Sequence, residues 1–158
     1  MNNLVPHLDK TATGEQVADV LSEIGCVIVD CLVSEQDMDR FTADMKQWFD
    51  SRQLGHDEFS GRKTRRVSAL VARSAVAREI ALNPTVIDVC DRLLLPNCDV
   101  YRLNVTHMVN IGPGEVRQTV HRDDEIYPEA FHEALPTLNK LVHCMWAVTE
   151  FTAASGLM

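Results

Sequence analysis

At 158 residues the chain suffices for one domain of ordinary size. A chain of this length buries roughly 70% of its unfolded surface, so its core needs no disulfide or structural metal. Fifteen Lys and Arg against 23 Asp and Glu give a net charge of -8, which speaks against a nucleic-acid binder and against an anionic membrane surface as partner.

The N-terminal stretch MNNLVPHLDKTATGE lacks the basic and apolar regions of a signal peptide. No run approaches the ~18 apolar residues of a membrane span. Five cysteines (Cys26, Cys31, Cys90, Cys98 and Cys144) are scattered through apolar runs without a CxxC pair. That pattern disfavours a zinc knuckle and fits a reducing, cytoplasmic compartment.

Residues 13–24 predict a helix. Thr13 and Gln16 have capping-box spacing, and Val17, Val20, Leu21 and Ile24 form an apolar stripe. Gly25 suits the left-handed position that ends a helix. CVIVDCLV, residues 26–33, predicts a β-branched strand. Ser34 is placed to cap a second helix with Asp37 in its first turn. Met38, Phe41, Met45, Trp48 and Phe49 would be its core face.

Residues 51–66 break the periodicity and predict a long surface loop. Its basic cluster, Arg62, Lys63, Arg65 and Arg66, reads most simply as a solvated charge run. The sharper reading is a contact to an anionic substrate at a site mouth. Residues 74–81 predict a helix, and Asn83-Pro84 opens another with Val86, Val89, Cys90, Leu93 and Leu94 buried and Pro96 at its end.

From Asp99 onward the pattern is that of strands. Tyr101, Leu103, Val105, His107 and Val109 would face one way, and Arg102, Asn104, Thr106, Met108 and Asn110 the other. Residues 111–116 form a Gly-Pro-Gly turn, 116–121 a second strand, 128–140 a long connection and 141–152 a third, buried strand. Helices first and strands second is an α+β order. The expectation is one domain over 1–158, with a mainly helical layer (1–98) packed on a sheet (99–158).

The stretch RQTVHRDDEIYP holds His121 and Asp123, two residues apart. In an extended strand such residues share a face, so an imidazole nitrogen and a carboxylate oxygen can aim at one point. With a second histidine this is the 2-His-1-carboxylate set of non-haem Fe(II) oxygenases. Alone, H-x-D is equally a charged surface turn.

The segments TRRVSALVARSAVAREIALNPTVIDVCDRLLLPNC, YRLNVTHMVNIGPGEVRQTVHRDD and NKLVHCMWAVTEFTAASG resemble the phytanoyl-CoA dioxygenase family, in the family's order. The resemblance implies a double-stranded β-helix (jelly-roll) core and an Fe(II)- and 2-oxoglutarate-dependent dioxygenase. Such an enzyme uses O2 to hydroxylate a small organic or acyl substrate while 2-oxoglutarate is decarboxylated to succinate. Carried over by position, His121 and Asp123 would bind iron, and Gln118 and Trp146 would line the co-substrate pocket. Asn104 and Thr106, on the polar face of the preceding strand, are candidates for the same cavity. The plainer alternatives are core packing for Trp146 and a buried hydrogen-bond pair for Asn104 and Thr106.

The family's second iron histidine and its 2-oxoglutarate-binding arginine would follow Met158. The expectation is therefore an N-terminal part of such an enzyme, with an incomplete jelly roll, marginal or aggregation-prone by itself. His107 and His143 fall on predicted strands and read as buried or rim histidines with satisfied hydrogen bonds, His143 not matching a ligand position; His132 falls in a loop, and His7 and His56 should be exposed. A catalytically inactive relative serving as a binding or interaction module remains the alternative. A cupin-like metal protein would need more histidines converging on one sheet. The expected partner is a small-molecule substrate, with no nucleic acid and no membrane; oligomeric state is not legible.

Overall fold

The computed structural model describes residues 5–128, 133 and 138–151. In chain order these form β1 (His7–Leu8), α1 (Gly14–Ile24), β2 (Ile28–Val29), α2 (Glu35–Asp50), β3 (Thr64–Ser68), α3 (Leu70–Arg73), α4 (Ala75–Ala81), α5 (Pro84–Leu94) and β4 (His107–Ile111). Short 3-10 turns span Leu95–Asn97 and Asp123–Ile126. The class is α+β. β1 and β2 pair in parallel, β3 and β4 antiparallel, and among the described residues these two small sheets do not close into a jelly roll. No described helix is long and apolar enough to cross a membrane.

The chain divides into two compact units. The first comprises residues up to 35, 79–102 and 124–144. Here the α1 capping box forms as its sequence requires. The Thr13 hydroxyl accepts from the Gln16 amide at 3.3 Å, and the Gln16 carboxamide accepts from the Thr13 amide at 3.0 Å. Gly25 ends the helix at φ 88°. Asn83 caps α5 by accepting from the amides of Thr85 and Val86. Val17 and Ala18 of α1 and Val89 and Leu94 of α5 are buried. The two helices pack so closely that a Cβ on Gly14 would run into the Asp88 carboxylate. Arg92 reaches Asp88 at 3.0 Å and Glu15 at 3.6 Å across the same seam.

The second unit comprises residues 36–78, 103–123 and those from 145 on. Phe41 and Met45 of α2, Val67 of β3, Leu70, Val76 and Ala77 are its buried apolar side chains. Buried Ser74 donates to the Asp44 carboxylate at 2.7 Å and accepts from the Ala77 amide at 3.2 Å, which joins α2 to the first turn of α4. The Arg73 guanidinium lies 4.5 Å from the centre of the Trp48 ring, a cation–π contact. Between β3 and α3 the chain reverses through Ala69 at φ 59°, a left-handed position uncommon for a residue with a Cβ.

Five expectations about loops and strands need correction. Residues 51–66 are not all loop, because Thr64–Arg66 begin β3, paired in register with Arg66 opposite Val109 and Val67 opposite Met108. Residues 26–33 form only a two-residue strand. The run from 99 is strand only at 107–111, where β3 supplies a ladder partner. Residues 116–121 and the described part of 141–152 carry no strand, and Leu103, Val105, Val116, Val120 and Met145 are exposed. Apolar alternation makes a strand only where a neighbour satisfies its amides and carbonyls. Most of the 128–140 connection, with His132, lies outside the described residues.

Candidate metal and co-substrate site

Two chain segments of the second unit meet side by side. One is the turn 54–64, the other the run 112–121. Their first link is backbone: the Gly112 amide donates to the Lys63 carbonyl at 2.9 Å. Glu115 supplies the second, its carboxylate accepting from the Lys63 amide and, at 2.9 Å, from the Thr64 hydroxyl. These bonds, the Lys63 amide first, hold the Glu115 carboxyl below its usual range. The Lys63 ammonium closes the corner on the Gly114 carbonyl at 3.0 Å. Gly114 at φ 73° provides a left-handed step in the Gly-Pro-Gly turn.

The turn 54–61 is itself tightly built. The Asp57 carboxylate accepts from both the amide and the hydroxyl of Ser60 at 2.6 Å. The Ser60 hydroxyl oxygen accepts in return from the amides of His56 and Asp57 at 3.2 Å. The Ser60 hydroxyl, then its amide, push the Asp57 carboxyl below the usual range. Gly55 donates to the Thr64 carbonyl at 2.9 Å, in a place where any Cβ would strike the Gly61 carbonyl. At the tip stands Phe59, 62% exposed.

Phe59 touches two of the candidate residues. Its carbonyl accepts from the Gln118 carboxamide at 3.1 Å. Its ring meets the His121 imidazole edge-on, with centroids 5.1 Å apart and planes at 60°. His121 Nδ1 lies 2.9 Å from the Thr119 carbonyl oxygen. A carbonyl can only accept, so the proton of the neutral ring belongs on Nδ1 and the lone pair on Nε2. Nε2 is 3.4 Å from Asp123 Oδ1. That separation is shorter than two metal–ligand bonds of about 2.0–2.2 Å laid end to end, so one ion can reach both atoms. Asp123 presents its carboxylate from the first residue of a 3-10 turn, not from the expected strand.

The other candidates are placed differently. Thr106 is half-buried, and its hydroxyl accepts from the Leu70 amide at 3.0 Å, which secures the turn into α3. Asn104 is exposed, and Trp146 is half-buried in an irregular segment. His107 is opposite Ser68 in the β3–β4 ladder, and burial, then the Arg66 charge, lower its pKa. His7, His56 and His143 are exposed. No group of three His, Cys, Asp or Glu able to hold a metal occurs among the described residues.

The basic cluster is partly structural. Arg65 donates to the Arg52 carbonyl at 3.2 Å, Arg66 to the Ser60 carbonyl at 3.3 Å and Arg62 to the His56 carbonyl at 3.2 Å. Arg66 and Arg52 also line an open cleft of ≈ 410 Å³ with Leu54, Gly55, Ser60 and Thr64. Phe59 was missed in the sequence reading. Its signal was the Asp57-to-Ser60 spacing between two glycines, the mark of a side-chain-closed turn.

Comparison with known proteins agrees with the motif. The family model for phytanoyl-CoA dioxygenase (PhyH) matches residues 21–158. Among curated relatives, the dioxygenase FrzG of a Cladobotryum species is 26% identical over 92% of this chain and 53% of its own length. The multifunctional dioxygenase ausE of Aspergillus calidoustus is 30% identical over 96% of this chain and 53% of its own. The dioxygenase aneA of Aspergillus aculeatus is 29% identical over 89% and 50%. The chain spans about half the length of the curated relatives it matches. A match over most of its residues makes this chain a member of the phytanoyl-CoA dioxygenase family.

Proposed function

We propose that this chain carries two iron ligands, His121 and Asp123, of an Fe(II)- and 2-oxoglutarate-dependent dioxygenase acting on a small organic or acyl substrate. The observation that supports it is the orientation of His121: Nδ1 is committed to the Thr119 carbonyl, and Nε2 faces Asp123 Oδ1 at 3.4 Å. An outer hydrogen bond of this kind sets the tautomer of a metal-binding histidine and restrains its orientation. When bound, the iron would supply the oxidative chemistry with O2 and 2-oxoglutarate. The protein's part is to orient the two donor side chains toward one point. Gln118, which donates to the Phe59 carbonyl, is a candidate for the co-substrate pocket, with Trp146, Asn104 and Thr106 as further candidates. A jelly-roll core for the whole protein and a cytoplasmic location belong to this proposal.

The alternative, an inactive relative serving as a binding module, draws on the absence of a third ligating side chain near this pair among the described residues. Titration with Mn(II) as an Fe(II) surrogate, with and without 2-oxoglutarate, separates the two. The dioxygenase reading expects metal binding that 2-oxoglutarate strengthens and that His121→Ala and Asp123→Ala each abolish. Absent binding, or binding indifferent to both substitutions, overturns it for this chain.

A further inference from the structure

We infer that Phe59 is a positioning residue for the candidate site: the closed turn 54–61 presents it so that its ring sets the plane of His121 and its carbonyl holds Gln118. The inference rests on the reading of His121 as a metal ligand. Three observations carry it. First, one residue serves two candidate residues that are themselves three positions apart, through two different groups. Second, an aromatic ring that is 62% exposed contributes little to a core, so its burial does not account for the geometry around it. Third, the turn beneath it has little freedom. Four hydrogen bonds between the 56–57 segment and Ser60 close it, two of them at 2.6 Å, and the Gly55 amide ties it to Thr64.

The physical effect is on rotation of the imidazole. The Thr119 carbonyl restrains the ring through a single hydrogen bond at Nδ1, which tolerates tilting of the ring plane. An edge-to-face contact has an angular preference and removes that freedom. With both in place, Nε2 faces Asp123 before any ion arrives, and less ordering is left for binding to accomplish.

The test uses the whole chain with 13C-labelled histidine. In Phe59→Leu the His121 ring signals should lose their ring-current shift, and Mn(II) should bind about 10-fold or more weakly, the scale of outer-shell losses. Phe59→Tyr keeps the ring and should restore both. Ser60→Ala loosens the turn without touching His121 and should move the same signals in the same direction. Unmoved His121 signals in Phe59→Leu overturn the inference, as does a loss that Phe59→Tyr fails to rescue. Moved signals with Mn(II) affinity unchanged by His121→Ala leave the contact standing but sink the metal-ligand reading, so the two failures are distinguishable. Because Phe59 is largely exposed, the Leu variant should keep the helical circular dichroism of the parent.

Discussion

Single groups in this chain owe their properties to one or two neighbours. The Tyr101 hydroxyl donates to Asp91 Oδ1 at 2.6 Å, and that bond, with some desolvation, pushes the phenol up to about 12. The unfolded value is 10, so the folded state holds the proton more tightly. The stabilisation is therefore complete below pH 10 and fades as pH rises through about 12. Absorbance titration of the tyrosinates should show a component near that upper value, absent in Tyr101→Phe. The substitution should cost about 1 kcal/mol at neutral pH, since solvent screens the pair. A single tyrosinate midpoint at the ordinary value would contradict the bond. His121 follows the same logic of neighbours. Its place in an H-x-D spacing was legible, whereas its tautomer depends on Thr119 and its plane on Phe59.

Helices and strands behaved differently as elements. α1 has a reciprocal cap at Thr13 and a left-handed stop at Gly25, both encoded within a few residues. Thr13→Ala should cost about 1 kcal/mol. Gly25→Ala, which forces a Cβ into φ 88°, should cost roughly 1–2 kcal/mol. Urea denaturation should show each as a lower midpoint with unchanged slope, and no change in either variant would contradict the role of the caps. The strands followed partners, not pattern. Val67 and Met108 became ladder residues because β3 and β4 meet, while the equally apolar 116–120 run stayed irregular. The glycine-rich turn 54–61 lacked any periodic signal, yet its Asp57–Ser60 bonds make it an ordered element.

For the molecule as a whole, exposed apolar side chains are the chief liability. Leu103, Val105, Val116, Met145 and Val120, the last 93% exposed, meet solvent in segments that have no sheet partner among the described residues. Exposed apolar surface of this kind drives association. Sedimentation of the chain by itself should show concentration-dependent species and binding of a hydrophobic dye; a monomer that unfolds reversibly and cooperatively would contradict this. The sequence by itself determined α1, α2, α4 and α5, the α+β class and the family. Caps and 3.6-residue stripes are satisfied locally, and a spaced motif survives where overall identity is low. Only the tertiary structure decided which apolar runs became strands and which side chains surround His121. Those contacts join residues far apart in the chain: Lys63 with Glu115 across 52 positions, and Phe59 with Gln118 across 59. No local pattern encodes a partner at such a distance, because its position is set by how the intervening helices fold back.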